Sequence, residues 1–393
     1  MNILYILNST DPFAGSTKSF LALIKGVISA GVNAIVVVPD TNGIYSTLQD
    51  MSVETIVQKE KGCTWTGARN LKQILLYIPR QLGRMAINYH AQRCLARKLR
   101  STPIDIVHSN VSVASLGRYI ARKRNLPHIY HIRECGAKDF NIKYFPTKAS
   151  FHRYLKSEKV YTICITKDIQ KYHDLLGVSS SRVIYNGIMD LTSTIEQTSW
   201  NRNYFLYAGR VEPTKGLLNL LHAYKAYTEK TVEKETILPL MVAGEVVFES
   251  YMQTIQDYIA KSHLGKYIQF LGKVTNMTEL YQHAKAIIIS SEFEAFGRCM
   301  PEAMLNGCIT IAHNTGGSKE QYDNGLALIG SEIGFRYDTQ EQLIASLINV
   351  HNMNEKELDI IRKNAFQCVS QLYTNEKYIH SVLEFYHDIQ KIN

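Results

Sequence analysis

The sequence predicts an α/β protein made of two parallel-sheet domains. Along most of its 393 residues, short apolar runs alternate with segments of helical periodicity, a rhythm typical of a parallel sheet covered by helices on both faces. A polar segment at residues 190–199 interrupts the rhythm and predicts a linker. The chain is also longer than one hydrophobic core comfortably serves. We therefore expect an N-terminal domain over residues 1–190, a C-terminal domain over 200–370, and a last helix over 371–393 that could pack back toward the first domain.

In the first half, short apolar runs predict buried parallel strands. These runs are Ile3–Leu7, Ala34–Val38, Ile106–His108, His128–His131 and Tyr161–Ile165. Segments with helical spacing lie between them, at Ser16–Ala30, Val113–Arg124 and Lys167–Leu176. Strands joined by helices in this way favour a doubly covered parallel sheet.

The second half repeats the alternation. Its predicted strands are Tyr204–Tyr207, Leu238–Ala243, Tyr267–Leu271, Ala286–Ser290 and Cys308–Ala312. Its helical patterns are Leu217–Tyr227, Tyr251–Ser262, Met277–Ala284 and the tail from Glu355 onward. The simplest architecture is two similar domains that face each other across a cleft, with ligands bound beyond the carboxyl ends of the strands.

Composition places the chain among ordinary soluble globular proteins, with 45% hydrophobic and 20% charged residues. The seven cysteines show no C-x-x-C pair, which favours free thiols in a reducing compartment. The first residues lack the basic and apolar regions of a signal peptide, and no apolar run approaches the ~20 residues that span a bilayer. We expect a cytoplasmic protein, attached at most to the inner face of a membrane.

Positive charge is concentrated in the first half of the chain. Residues 1–190 hold 26 Lys and Arg against 12 Asp and Glu, and the rest of the chain holds 18 against 23. The densest part, Arg69–Arg100, contains no acid and interleaves apolar residues at roughly helical spacing. Basic amphipathic segments suit an anionic membrane surface. A core-packed helix with a solvated basic face would show the same sequence pattern. No nucleic-acid-binding motif is present, so nucleic acid is not an expected partner.

One motif places two carboxylates eight positions apart around a Phe-Gly turn: Glu294-Ala-Phe-Gly-Arg-Cys-Met-Pro-Glu302. It lies between the predicted strand Ala286–Ser290 and a predicted helix, Pro301–Asn306, opened by its N-terminal proline. The free N–H groups of that helix could hold phosphate while the acids bind sugar or ribose hydroxyls. A solvated loop with one carboxylate favouring its own helix dipole is the alternative.

A second motif, Ala208-Gly-Arg-Val-Glu-Pro-Thr-Lys-Gly216, follows the first strand of the C-terminal half. Gly209 ends the strand, and Arg210 and Lys215 lie five positions apart on one loop. Two cations at a strand end can neutralise a diphosphate, although a solvent-exposed basic loop has the same composition. The spacing is not that of a P-loop, and no Gly-x-Gly-x-x-Gly follows the first strand, which argues against an NTPase and a dinucleotide dehydrogenase.

Taken together, these motifs closely resemble those of the retaining GT-B glycosyltransferases, specifically family 4 of bacterial polysaccharide and glycolipid enzymes. The residues that carry the resemblance are Gly209-Arg210, Lys215-Gly216, Phe270-Leu-Gly272, Glu294 with Phe296-Gly297 and Glu302, Thr315-Gly-Gly317 with Glu320, and Asn186-Gly-Ile188. The likeness covers nearly the whole chain. It is looser at the N-terminus, where Phe13-Ala-Gly15-Ser-Thr17 replaces the common Gly-Gly pair. The resemblance implies two Rossmann-like domains, an NDP-sugar donor and no metal; no Asp-x-Asp signature occurs here.

The resemblance also implies roles for residues of the C-terminal half. Arg210 and Lys215 would hold the nucleotide diphosphate and stabilise the charge that develops as the sugar–phosphate bond breaks. Glu302 would bind the ribose hydroxyls, and Glu294 would lie beside the donor sugar. Backbone amides would contact sugar and phosphates at Phe296, Gly297, Arg298 and Cys299. The base would lie against the loop after Gly272, where Lys273 and Val274 are the candidates.

In the N-terminal half, the resemblance implies that Gly15 lets the backbone approach the phosphates closely, although a plain helix-start glycine is the alternative. His131 closes an apolar strand and matches the strand-end histidine that contacts the donor sugar in the family. His108 is the competing histidine. Arg133 and Glu134 could meet acceptor or phosphate, or form a salt-bridged rim.

The function implied is transfer of a sugar from an NDP-sugar, with retention of configuration, to a saccharide acceptor. The basic N-terminal half favours a lipid-linked acceptor at a membrane face, as in capsule or O-antigen-like assembly. Two rivals remain open: a GT-B nucleotide-sugar epimerase or hydrolase, and a non-catalytic nucleotide-sugar binding protein. The two acids could suggest a glycosidase, but a glycosidase has no use for Arg210 and Lys215. Sugar, base, acceptor and linkage are not fixed by the sequence.

Overall fold

The computed structural model describes residues 1–65, 71–140, 142–190 and 202–392. It divides the chain into two compact units. The first comprises Met1–Gly187 together with Asn375–Asn393, and the second comprises Ile188–Thr374. The chain therefore leaves the first unit, builds the second and returns to the first for its last helix. The predicted linker lies outside the described residues from position 191 onward.

The first unit contains a parallel sheet of seven described strands in the order β3-β2-β1-β4-β5-β6-β7. The strands are β1 (Asn2–Ile6), β2 (Asn33–Val38), β3 (Glu54–Val57), β4 (Ile106–Ser109), β5 (His128–Ile132), β6 (Val160–Cys164) and β7 (Ser181–Val183). The strand order reverses between β1 and β4, which is where ligands bind in open α/β sheets.

Helices cover both faces of this sheet. They are α1 (Gly15–Ser29), α2 (Tyr45–Asp50), α3 (Leu71–Leu75), α4 (Tyr77–Lys98), α5 (Leu116–Arg124), α6 (Ala137–Phe140), α7 (Lys148–Leu155) and α8 (Lys167–Tyr172), together with the chain's last helix, Asn375–Ile392. Successive residues of a strand point to opposite faces, so Tyr5 packs in a core with Phe20 of α1 and Phe385 of the last helix. Leu4 instead packs in a second core with Leu95 of α4.

The second unit repeats the plan with six described parallel strands in the order β10-β9-β8-β11-β12-β13. The strands are β8 (Tyr204–Ala208), β9 (Leu240–Ala243), β10 (Ile268–Gly272), β11 (Ala284–Ile289), β12 (Ile309–His313) and β13 (Phe335–Tyr337). The helices are α9 (Leu217–Lys230), α10 (Glu249–Lys261), α11 (Thr278–His283), α12 (Cys299–Leu305), α13 (Gly316–Ile329), α14 (Gln340–Asn352) and α15 (Glu355–Leu372). The helix Asn375–Ile392 is therefore α16. Here the strand order reverses between β8 and β11.

The predicted class, two parallel-sheet α/β domains, is confirmed. Every strand predicted from an apolar run is present, displaced by at most two residues. The sequence missed β3, β7 and β13, which are three or four residues long. All three close a sheet edge. Short edge strands need no continuous apolar run, because neighbours cover them less completely.

Candidate functional site

The two motifs of the second unit meet at the point where its strand order reverses. β8 and β11 are hydrogen-bonded neighbours, with Tyr207 opposite Ile288, so the loops that follow them leave the same edge of the sheet. Gly216 shows how tightly these loops pack. Its φ is +68°, and a Cβ at this position would lie 2.0 Å from the carbonyl oxygen of Ser290. Only glycine fits both the left-handed backbone and the close approach.

Lys215 and Glu294 form an ion pair at this edge. Lys215 Nζ donates to Glu294 Oε1 at 2.7 Å, and Ser291 Oγ donates to the same oxygen at 2.6 Å. Both charged side chains are about four-fifths buried, with 23% and 18% of their surface exposed. Burial alone would lower the pKa of Lys215, but the nearby Glu294 carboxylate and its hydrogen bond raise it overall. Lys215 is thus a fixed positive charge at neutral pH.

Arg210 lies on the same loop and pairs with Glu212, with Nη2 2.8 Å from Oε1. Its side chain is 47% exposed. The positive charge of Arg210 works to lower the pKa of Lys215. The structure thus places two cations near one another at the strand-order reversal, each beside a carboxylate. Glu212 and Ser291 were not predicted, because no spacing rule marks them as partners of these residues.

Glu302 lies in the first turn of α12, as predicted, but the helix start was predicted wrongly. α12 begins at Cys299, two residues before Pro301. A proline is tolerated there because the first-turn N–H groups have no partner inside the helix. Glu302 Oε1 accepts from Arg298 Nε at 3.2 Å, and Glu302 Oε2 accepts from the Tyr281 hydroxyl at 3.4 Å. Burial raises the pKa of the Cys299 thiol to about 12, helped by Glu302 and Glu294, so it stays protonated.

The Phe-Gly turn between the two acids is held by the Thr-Gly-Gly motif at the start of α13. Gly317 N donates to Glu294 O at 2.7 Å, and a Cβ on Gly317 would lie 2.5 Å from Phe296 Cα. The Phe296 ring is buried against Tyr373, with ring centroids 5.7 Å apart. The buried side chain of Phe296 thus anchors the Phe-Gly turn. Gly297 has a φ of +74°, which lets the chain turn before α12.

Two buried polar atoms beside this turn, Ser318 Oγ and Gln321 Oε1, have no protein partner among the residues that the structure describes. Ser318 Oγ lies 3.5 Å from the point that a Cβ on Gly297 would occupy. Buried hydroxyls are nearly always hydrogen-bonded, so the unpartnered Ser318 hydroxyl is able to bond an oxygen brought to this turn.

The residues predicted to contact the base, Lys273 and Val274, follow β10. Gly272 ends that strand with a φ of +66°, and Lys273 Nζ lies 3.5 Å from Glu245 Oε2. Val274 is half-buried. Both residues lie on the loop that follows the carboxyl end of β10, which is separated from β11 by two strands, β9 and β8.

In the first unit, Gly15 is the exposed first residue of α1. His131 lies near the end of β5 and is fully buried, as is His108 near the end of β4. The two histidines belong to one network, in which His108 Nε2 and His131 Nδ1 are 3.2 Å apart.

Arg133 and Glu134 do not form a salt-bridged rim, so that prediction was wrong. Both are buried, at 7% and 5% exposure. Arg133 Nη1 donates to Asn186 Oδ1 at 2.6 Å, which gives the Asn-Gly-Ile motif a structural role. Glu134 Oε1 accepts from Ser112 N at 2.9 Å. Burial raises the pKa of Glu134.

The described part of the basic segment forms α3 and α4, and its large aliphatic side chains from Leu71 to Ile87 are exposed. Leu71, Leu75 and Leu82 are 79%, 80% and 59% exposed. The alternative of a core-packed helix is therefore wrong for these apolar residues. Arg69 lies outside the described residues.

The face of α4 that does not carry these exposed apolar residues packs on the rest of the first unit. Arg84 Nη2 donates to Gly62 O at 2.8 Å, and Asn88 exchanges hydrogen bonds with the backbone of Lys61. Ala91 and Leu95 are buried. The contact face is thus polar over its first turns and apolar only later. Among the described residues no helix is long and apolar enough to cross a membrane.

Comparisons with known proteins agree with this architecture. The model of glycosyltransferase family 4 matches residues 13–190, and that of group 1 glycosyl transferases matches residues 192–367. The chain therefore belongs to the family 4 type of glycosyltransferases, and its two sheets are those of the GT-B fold. The structure of Anabaena HepE in complex with UDP and glucose has a TM-score of 0.74 at 18% identity and covers 99% of this chain and 100% of that one.

Two curated relatives match over shorter stretches. A glycogen synthase from Acholeplasma laidlawii is 27% identical over 41% of this chain and 34% of its own length. The N-acetyl-alpha-D-glucosaminyl L-malate synthase of Bacillus anthracis is 28% identical over 35% of this chain and 34% of its own length. The chain thus spans about a third of the length of each of these two relatives.

Proposed function

We propose that the protein is a glycosyltransferase that moves a sugar from an NDP-sugar to a saccharide acceptor with retention of anomeric configuration. The observation that carries the proposal is the cluster of Lys215, Glu294 and Arg210 at the strand-order reversal of the second sheet. Ligands of open α/β sheets bind at such points. Two cations there suit a diphosphate, which carries more negative charge than either carboxylate that now accompanies them.

In the proposed reaction, the bond between the anomeric carbon and the phosphate oxygen breaks, and negative charge grows on the departing diphosphate. Arg210 and Lys215 stabilise this charge, and their ion pairs with Glu212 and Glu294 already hold both cations at the strand-order reversal before the donor binds. The acceptor oxygen bonds to the anomeric carbon on the same face, and its proton passes to the departing phosphate oxygen. No protein nucleophile takes part.

The carboxylates bind the remaining groups of the donor. Glu302, in the first turn of α12 with Arg298 and Tyr281 as partners, accepts from the ribose hydroxyls. Glu294 accepts from a sugar hydroxyl and keeps Lys215 in position until the diphosphate arrives. The unpartnered Ser318 Oγ serves a phosphate or sugar oxygen next to the Gly297 turn.

We further propose that the acceptor is lipid-linked and that α3 and α4 dock the enzyme on an anionic membrane surface, as in bacterial surface polysaccharide synthesis. Ile78, Leu82, Met85 and Tyr89 recur at helical spacing along α4, and all four are exposed. The residues that attach α4 to the protein, such as Gln81, Arg84 and Asn88, lie on another face. An amphipathic helix with its apolar side turned outward, flanked by basic residues, fits a lipid interface.

A panel of NDP-sugars tests the proposed reaction. UDP-sugars come first, because the HepE structure contains UDP and glucose. The expected result is slow release of NDP from one donor alone and faster release when a lipid-linked saccharide extract is added. An epimerase or hydrolase would release NDP equally fast without acceptor, and a binding protein would show only saturable affinity. Lys215→Ala serves as the matched low-activity variant, and a mock purification without the protein shows how much NDP release comes from a contaminant.

A further inference from the structure

A cavity of about 490 Å³ lies in the first unit between α5 and α7. It also reaches the two loops that lead into β5 and β6, residues 125–127 and 156–159. Its volume is within the range of small-molecule sites. The cavity lies where these two strands begin, whereas Arg133 follows the end of β5. All of its lining residues belong to the first unit, so it is not part of the cluster around Lys215.

The cavity has an excess of positive charge. Its lining contains one acid, Glu158, and four cations, namely Arg118, Arg122, Arg153 and Lys159. Among the residues that the structure describes, none of these cations forms an ion pair with a carboxylate. Lys159 Nζ makes only a long contact, 3.4 Å, to the Asn125 carbonyl oxygen. A concave surface lined mainly by one sign of charge attracts ligands of the opposite sign, so this cavity suits an anion.

Helix ends do not account for all four cations. A positive charge is stabilised near the C-terminus of a helix, and Arg122 and Arg153 lie in the last turns of α5 and α7. Arg118, however, is the third residue of α5, where the helix dipole disfavours a positive charge. Lys159 lies outside both helices, with a left-handed φ of +58° that is uncommon for a lysine. Local structure therefore gives no reason for a cation at either of these two positions.

Tyr154 of α7 holds Arg118 at the cavity. The Arg118 guanidinium lies over the Tyr154 ring, with Cζ 4.0 Å from the ring centroid. The Tyr154 hydroxyl lies 2.9 Å from Nδ1 of the buried His128, which fixes the ring. Burial raises the pKa of Tyr154 to about 12, against the lowering effect of the charges of Arg118 and Arg122. A guanidinium stacked on a ring keeps the N–H groups in its own plane available for a ligand.

We propose that this cavity binds the phosphate group of a small phosphate ester. The guanidinium groups of Arg118, Arg122 and Arg153 donate to the phosphate oxygens, which match their fork geometry. Polar side chains of the same lining are available to the rest of the ester, namely Asn125, Ser150 and Ser157. The ester is either a soluble sugar phosphate or the head group of a phospholipid, since both present the same phosphate. The proposal does not rest on the proposed function, because no residue of the donor site takes part.

Calorimetry with two phosphate esters tests the proposal. Glucose 6-phosphate represents the soluble source, and dioctanoyl phosphatidic acid, kept below the concentration at which it forms micelles, represents the lipid source. Both are titrated into full-length Lys215→Ala, in which the cation cluster of the second unit is weakened. We expect saturable binding of at least one ester and none of glucose or dioctanoyl phosphatidylcholine. Binding of glucose 6-phosphate indicates a soluble ligand, and binding of phosphatidic acid alone indicates a lipid. If neither ester binds, the proposal is wrong.

A pair of double variants in the same background then locates the bound ester. Arg122→Gln with Arg153→Gln removes two exposed cations of the cavity. We expect its affinity to fall about a hundredfold, because a hydrogen bond to a charged group contributes roughly tenfold in affinity. Lys123→Gln with Lys156→Gln is the matched control, since both lysines are exposed beside these arginines and neither lines the cavity.

The control variant should bind the ester within twofold of the Lys215→Ala protein. Equal losses of affinity in the two double variants would show that the ester responds only to net charge, and would overturn the proposal. The result is independent of sugar transfer, because binding is measured without a donor or an acceptor. If no donor in the NDP-sugar panel is turned over, the proposed function fails while the phosphate site stands.

Discussion

Lys215 Nζ lies 2.7 Å from Glu294 Oε1, although the two residues are 79 positions apart in sequence. The contact exists because β8 and β11 are adjacent in the sheet and because Gly216 lets the two following loops touch. The pair also balances the charge of a lysine that is about four-fifths buried. A buried cation left without its anion is strongly destabilised, so Glu294 keeps Lys215 ready for a stronger anionic partner.

Replacing either cation tests the diphosphate site. Lys215→Ala and Arg210→Ala should each lower kcat/KM about a hundredfold, because one charge-assisted contact to developing charge contributes about 3 kcal/mol. The measurement is steady-state transfer with the donor identified in the NDP-sugar panel, together with a thermal scan to show that the fold survives.

Lys225→Ala is the matched control for this prediction. Lys225 lies in α9 on the same unit, and it also pairs with a glutamate, Glu229, but on the exposed surface. Its loss should leave kcat/KM within twofold, since exposed ion pairs contribute little. Near-normal kcat/KM in both active-site variants would remove the diphosphate assignment.

The two acids should separate binding from turnover. Glu302→Gln should mainly weaken affinity for NDP, because contacts to the ribose persist from the ground state to the transition state. Glu294→Gln should lower kcat more than NDP affinity, because its carboxylate positions Lys215. Calorimetry with NDP and initial rates on the same preparations give the comparison. Equal losses of NDP affinity in both variants would show that the roles are divided differently.

The two sheets and most of the candidate site in the second unit could be predicted from the sequence, for a physical reason. Buried parallel strands need continuous apolar runs, and loops that follow neighbouring strands reach the same edge. The positions of Arg210, Lys215, Glu294 and Glu302 were therefore predictable from local pattern and resemblance, whereas their roles remain predictions.

The site of the first unit was less accessible to sequence reasoning. Tyr386 contacts His108 across 278 positions, and no periodicity links a residue of the last helix to the end of β4. The orientation of α4 was also open, because spacing shows that a helix is amphipathic but not which side packs. Only contacts such as Arg84 to Gly62 show that its apolar side faces outward.

The first unit should lose stability in acid through its buried histidines. His128 is wholly buried between Ser109 Oγ and the Tyr154 hydroxyl, each 2.9 Å away. Burial, and then the charge of Arg118, lowers its pKa from 6.5 to about 3. Below pH 6.5, His128 is therefore protonated in the unfolded chain but stays neutral in the folded state. Stability falls as the pH drops from 6.5 toward 3, by up to ~1.4 kcal/mol per pH unit, and is unaffected by this group above 6.5.

Thermal midpoints measured from pH 7.5 to 4.5 check this prediction. His128→Gln removes the titrating group while it keeps a polar side chain, so its midpoint should fall less steeply with acid than that of the wild type. His380→Gln, an exposed change on α16, should follow the wild-type curve. Parallel curves for all three proteins would show that His128 does not contribute to acid sensitivity.

Membrane docking through α3 and α4 should need both charge and apolar contact. Arg80, Arg93 and Arg97 are exposed on α4, and each basic residue near an anionic surface contributes about 1 kcal/mol. Changing these three to Gln should weaken binding to phosphatidylglycerol-containing vesicles about a hundredfold. Binding of the wild type should also fall with salt, since exposed charges are screened beyond ~8 Å at physiological ionic strength. Arg84 is left unchanged because it holds α4 to the Gly62 carbonyl.

The apolar face gives the second half of this test. Changing Leu75, Ile78 and Leu82 to Ser should weaken vesicle binding even at low salt, because these side chains are exposed and would enter the lipid interface. Lys230, Lys261 and Lys363, all exposed on the second unit, provide a control in which three charges are removed elsewhere, and that variant should bind like the wild type. Activity on a soluble acceptor should survive every one of these changes, since none touches the cluster around Lys215. Vesicle binding that ignores salt and both sets of changes in α3 and α4 would show that this face has another role.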